Sequence, residues 1–126
     1  MTRPTVVALS IPADPERPVS VVNVPATLSG VRQHVGRVGD EPHLETIRLA
    51  LFGWTFLWLD EDGRAKGLEP NPRASVLGAT TGLLGADQIV GDVLVLGSTP
   101  EGDDVSLTVD ALGRLARVLG LEGMVV

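Results

Sequence analysis

Cysteine is absent from the 126-residue chain, which excludes disulfides, thiolate metal sites and a cysteine nucleophile together. Tyrosine is absent as well, and Phe and Trp number two each. Positive charge is scarce: 10 Lys and Arg stand against 16 Asp and Glu, a formal net charge of -6. Duplex nucleic acid is held by neutralising phosphates, and a chain of this sign has no broad basic face for it. Long apolar runs are also missing. After Met1-Thr2-Arg3-Pro4 a run of seven residues leads to Pro12, far short of the roughly 20 apolar residues of a membrane-crossing helix. No membrane partner is expected, and the cytoplasm is the expected compartment.

What is present suits one packed core. The apolar fraction is 44% and the charged fraction 21%, at a length too short for two ordinary domains, so residues 1–126 read as a single domain. Lys66 is the sole lysine beside nine arginines, and Val, Leu, Gly and Ala abound, a composition that goes with GC-rich genomes such as those of actinobacteria and their phages.

Residues 5–11 (TVVALSI) and 19–24 (VSVVNV) are β-rich runs closed by Pro12 and Pro25, and the proline-rich PADPERP between them predicts a stiff turn. Thr27 or Ser29 then caps a helix whose apolar stripe is Leu28, Val31, Val35 and Val38, stopped by Gly39. From His43 the period changes to two, predicting a strand, and Phe52-Gly53 predicts a tight turn into a second strand over residues 54–59. Asp60-Glu61-Asp62-Gly63 reads as a solvated turn, with a brief strand after it over residues 64–68. Asn71 caps a helix that opens on Pro72, fraying where Gly78, Gly82 and Gly85 weaken it. Residues 89–96 (IVGDVLVL) read as a central strand. Residues 98–109 read as a flexible loop leading to a C-terminal helix from Asp110, with Leu112, Leu115, Ala116 and Leu119 on one stripe and Gly120 as its stop. The fold expected is α+β: about five strands in a largely antiparallel sheet, in the order β-β-α-β-β-α-β-α, with helices mainly on one face.

Chemistry-bearing motifs are few. Asp60-Glu61-Asp62-Gly63 lacks the ligand alternation of a calcium loop, and His34 and His43 have no partner at metal-ligand spacing, so no metal or other cofactor is expected. Neither a G-x-S-x-G elbow nor a phosphate loop ending in Gly-Lys-Ser/Thr occurs, and no catalytic residue is assigned. Two features remain. Phe52, Trp54, Phe56 and Trp58 hold every aromatic ring of the chain within seven residues, and an uninterrupted strand would set them on one face. They suit core packing first, then an oligomer or partner interface, then stacking of a planar ligand, which makes Trp54 and Trp58 candidate ligand contacts. Asp92 inside an apolar run is the other. A buried carboxylate needs a cation or several donors, and Arg73 or the backbone N–H groups of the Gly91 turn are the candidates. Asn71, Arg73 and Asp92 thus form a candidate ligand site beside the structural reading.

The segments Leu59…Glu61-Asp62-Gly63…Lys66-Gly67-Leu68-Glu69-Pro70-Asn71-Pro72-Arg73-Ala74 and Ile89-Val90-Gly91-Asp92-Val93-Leu94-Val95-Leu96-Gly97, with the opening Ile11-Pro12-Ala13-Asp14…Pro18-Val19, carry a resemblance. They resemble the family known as domain of unknown function 3846, small proteins common in actinobacterial phages and mobile elements. The resemblance implies a phage or mobile-element protein of the host cytoplasm, makes Asn71, Pro72, Arg73, Gly91 and Asp92 pattern positions, and supplies no catalytic residues. The reading that follows is a non-catalytic domain that binds a small ligand or a host protein, in the service of counter-defence, with self-association left open. The alternative is an enzyme acting on a nucleotide-like substrate through Asp92 and Arg73. An acidic decoy of DNA is a third reading, weakened by the 10 bases that dilute the 16 acids.

Overall fold

A computed structural model describes residues 4–37, 39–80 and 89–121. Strands β1 (Thr5–Ile11) and β2 (Ser20–Pro25) form the N-terminal hairpin, and α1 (Leu28–Arg32) follows. Strands β3 (Leu44–Arg48) and β4 (Thr55–Asp60) form a second antiparallel pair, and α2 (Pro72–Ala79), β5 (Val93–Ser98), β6 (Asp104–Val105) and α3 (Val109–Leu119) complete the chain. The sheet runs β2-β1-β5-β4-β3, with β6 added to β5, and every strand pair is antiparallel. The architecture is the expected α+β sheet. β5 is central, paired with both β1 and β4, which is why Val93, Leu94, Val95 and Leu96 are all fully buried although alternate ones point to opposite faces.

One face of the sheet presents Leu9, Ile11, Leu57, Val93 and Val95 to α2 (Ala74, Leu77) and α3 (Ala111, Leu112, Leu115). The other presents Ala8, Val24, Leu94 and Leu96 to Val31 of α1 and to Val35. Helices α2 and α3 therefore share the larger core, and among the described residues α1 is the helix that covers the second. Burying a Leu such as Leu112 or Leu115 is worth about 1.5–3 kcal/mol, so α3 is held by its apolar stripe more than by its 11-residue length.

Several expected elements differ. The first helix ends at Arg32, because Gly36 leaves the helical path to exchange two 2.8 Å backbone hydrogen bonds with Asp92. Val35 is buried beyond the helix end, Leu28 is exposed, and Val38 lies outside the described residues. Residues 64–68 are consecutive turns and not a strand: Lys66, Gly67 and Leu68 donate to Asp62, Arg64 and Gly63 carbonyls. Phe52-Gly53 is not a two-residue hairpin turn. A 3-10 turn, Ala50–Phe52, intervenes, with the Leu49 N–H on the Thr55 carbonyl (2.8 Å) and the Thr55 hydroxyl on the Phe52 carbonyl (2.7 Å).

That turn breaks the strand continuity on which a single aromatic face depends. Phe52 joins the larger core, while Trp58 packs against the core under α1. Trp54 lies before β4 and is 46% exposed. Residues 98–109, expected as a loop, contain β6, and the Leu107 N–H reaches the Val7 carbonyl (2.9 Å). The helix after them starts at Val109, one residue before Asp110, because Thr108 accepts the Ala111 N–H as its cap (3.0 Å). Gly82 and Gly85, where fraying is expected, lie outside the described residues. No helix among the described residues is long and apolar enough to cross a membrane.

Candidate functional site

Three side chains fix the loop between β1 and β2. Asn71 is fully buried at the start of α2. Its Oδ1 accepts the Ala74 N–H (3.1 Å), and its Nδ2 donates to the Ile11 and Gly91 carbonyls (2.9 Å each). One amide thereby caps α2 and ties it to the end of β1 and to the approach to β5. Arg73, two residues on, donates from Nη2 to the carbonyls of Pro12 (2.7 Å), Asp14 (3.0 Å) and Arg17 (2.8 Å). A guanidinium suits this task because the proline-rich loop turns several carbonyls inward with few N–H groups to answer them.

Asp92 completes the arrangement from the other side. Its Oδ1 accepts the Ala13 N–H (2.9 Å) and its Oδ2 pairs with Arg17 Nη1 (3.1 Å). The carboxylate keeps 18% exposure, against 53% for Arg17. Of the two partners expected for Asp92, Arg73 and the Gly91 turn, neither donates to it. Both Arg73 and Asp92 serve the same loop and do not meet each other. Gly91 brings the wall close: its φ is +77°, and a Cβ there would lie 2.8 Å from Leu68 Cδ1 and 3.2 Å from the Gly36 backbone.

The loop so held walls a cleft of about 710 Å³. Residues 13–15 and Arg17 form one side and residues 67–70 with Pro72 another; Gly36, Arg37, Gly91 and Asp92 close it. Of the five candidate ligand residues, Asp92 lines this cleft. Asn71 and Arg73 stand behind its wall. Trp54 and Trp58 lie elsewhere: the Arg48 guanidinium stacks 4.2 Å above the Trp54 ring, and the Trp58 indole N–H is buried with no hydrogen-bond partner among the described residues.

Sequence reasoning overlooked Arg17, Arg37 and a second carboxylate centre. Asp60, read as part of a solvated turn, has a fully buried side chain. It accepts from Lys66 Nζ (2.7 Å), the Asp62 N–H (2.9 Å) and the His43 N–H (3.2 Å). Burial alone would push its pKa up, but the ammonium and the two backbone donors outweigh it and hold the carboxyl below its ordinary value. The same pair raises the Lys66 ammonium. Lys66 also reaches the Glu41 carbonyl (3.0 Å), so it fastens the segment that begins the cleft wall at Gly67. The signal available was the rarity of lysine. Among the described residues no three His, Asp or Glu side chains gather as a metal ion would require.

The profile of the family described as "Domain of unknown function (DUF3846)" matches residues 8–120. The chain belongs to this family. The matched span takes in the whole cleft of this DUF3846 domain, from Ala13 to Asp92. No curated protein matches the chain. Among solved structures, the crystal structure of small RNA methyltransferase HEN1 is similar, with a TM-score of 0.56 and 16% identity, covering 92% of this chain and 16% of that one. The chain therefore spans about a sixth of that protein's length, and at such identity the likeness is one of fold alone.

Proposed function

We propose that this DUF3846 domain is a non-catalytic binding module and that the cleft between the β1–β2 loop and the segment before α2 takes a small ligand. One observation carries the reading: the cleft walls are held by Arg73, Asn71 and Asp92 through bonds to backbone, so the concavity is formed before anything enters it. The volume falls within the range of small-molecule sites. An enzyme acting through Asp92 and Arg73 on a nucleotide-like substrate has less support, because the Arg73 Nη2 and both Asp92 oxygens are already committed to residues 12–17. Docking of a host protein is the second reading, favoured by exposed Trp54, on whose ring stacks Arg48 of the edge strand β3.

Family membership and the arginine-dominated composition support a phage or mobile-element setting in actinobacteria, in which the domain works in the host cytoplasm, against a host defence. Native mass spectrometry of protein purified from an actinobacterial host tests the binding reading. A small molecule should accompany the wild type and be missing from a folded Pro15→Trp variant, whose added indole obstructs the cleft. Equal occupancy in both variants would move the ligand, and the function, elsewhere.

A further inference from the structure

The proposed binding role leaves open what the ligand is, and the charges on the cleft narrow it. Arg17 and Arg37 carry guanidiniums that are 53% and 59% exposed. Among the described residues each gives a side-chain hydrogen bond to one carboxylate, Arg17 to Asp92 (3.1 Å) and Arg37 to Asp40 (3.2 Å). A guanidinium has five N–H donors, so most of this donor capacity is unspent where the cleft opens. Asp92 is itself anchored on the Ala13 N–H, which orients the Arg17 fork.

Donors alone would suggest an anion, but the carboxylates on the same lining oppose that. Asp14 and Glu69 are both exposed there and neither has an ion pair among the described residues. With Asp92, the lining carries three carboxylates against two guanidiniums. A simple anion would meet net repulsion, and a simple cation would leave the guanidinium donors without acceptors. Between these groups the surface is apolar and stiff, made by Pro15, Leu68, Pro70 and Pro72, which gives a carbon skeleton something to lie on at little entropic cost.

We propose that the cleft binds an amphoteric small molecule, a free amino acid or short peptide, whose carboxylate is held by Arg17 and Arg37 and whose ammonium is held by Glu69 and Asp14. This rests on the cleft being the binding site, and the experiment separates the two. Calorimetric titration of the whole chain uses a library of free amino acids and dipeptides, with inorganic phosphate and putrescine as single-charge-sign probes. At least one zwitterion should bind about tenfold or more tightly than either of the others, as one charged hydrogen-bonding contact commonly yields.

N-acetylation of that best zwitterion should weaken it about tenfold for the wild type, by a smaller factor for Glu69→Gln and by none for the Asp14→Asn/Glu69→Gln double variant, and Arg17→Gln should weaken the acetylated and free forms alike. The acetylation comparison is made within each folded variant, so a loss of stability cannot imitate it. Phosphate or putrescine binding as tightly as every zwitterion, or acetylation without effect on the wild type, overturns the amphoteric class while leaving a ligand-binding cleft. Absence of binding by all probes and by any small molecule of a cytosolic extract, with Pro15→Trp indistinguishable from wild type, overturns the binding role itself.

Discussion

Asp60 and Asp92 both adjoin Gly36, yet they are opposite solutions for a carboxylate near a core. Asp60 comes from a run of acids and glycine that reads as solvated, and its side chain is fully buried on Lys66 and two backbone N–H groups. Asp92 comes from an apolar run that reads as buried, and it keeps partial exposure beside a cleft, paired with an arginine more than half in water. A carboxylate's burial thus follows from the donors brought to it. Lys66 is six residues from Asp60 and locks a turn, whereas Arg17 is 75 residues from Asp92 and closes a wall. The first centre is structural in character; the second leaves donor capacity facing the cleft.

The buried centre should be the most sensitive to substitution. Asp60→Ala strands the His43 and Asp62 N–H groups and the Lys66 ammonium, and should lower stability by about 2–3 kcal/mol in urea melts. Next is the scaffold behind Asp92: Asn71→Ala removes a cap and two donors to buried carbonyls, and should cost about 2 kcal/mol by the same measurement. Asp92→Asn should cost less, about 1 kcal/mol, because its Arg17 partner returns to water. A cost for Asp92→Asn equal to that of Asp60→Ala would erase the contrast.

The pH dependence sharpens it further. The folded-state pKa of Asp60 lies below its ordinary 3.8, so its contribution is complete above that value and is lost as pH falls through the lowered one. Lys66 is raised above 10.5, so its contribution is complete below that value and is lost as pH rises through the raised one. Urea midpoints measured across both limbs should flatten in Asp60→Asn relative to wild type, and an unchanged acid limb would show that Asp60 is not the group responsible. The smallest expected effect concerns the tryptophans. Trp54→Phe should shift stability by no more than about 0.5 kcal/mol, while removing most of the acrylamide-quenchable fluorescence, because Trp54 is exposed and the Trp58 indole N–H is buried.

The parts of the site that were legible are those with a local cause. Asn71 followed by Pro72 announces a capped helix in any context, since both act on the first turn they belong to. Asp92 stood out because a charge in an apolar run demands a partner. Its actual partner was not legible: nothing local distinguishes Arg17 from Arg73, and only the antiparallel meeting of β1 with β5 brings residue 17 to residue 92. Arg37 was hidden for the same reason, since its place beside the cleft depends on the Gly36–Asp92 bridge. The shared aromatic face failed because alternation holds only within an unbroken strand, and the 3-10 turn at Ala50–Phe52 breaks it.

The number and kind of most elements, the α+β class, the caps at Asn71 and Gly120 and the absence of thiol chemistry follow from local sequence, because each of these depends on residues within a few positions of one another or on composition. The order β2-β1-β5-β4-β3, the addition of β6, the burial of Asp60 and the walls of the cleft arise from long-range packing. These depend on which distant segments pair, and that choice is made by the total apolar area two strands and their helices can bury together, a quantity that no single stretch of the chain contains.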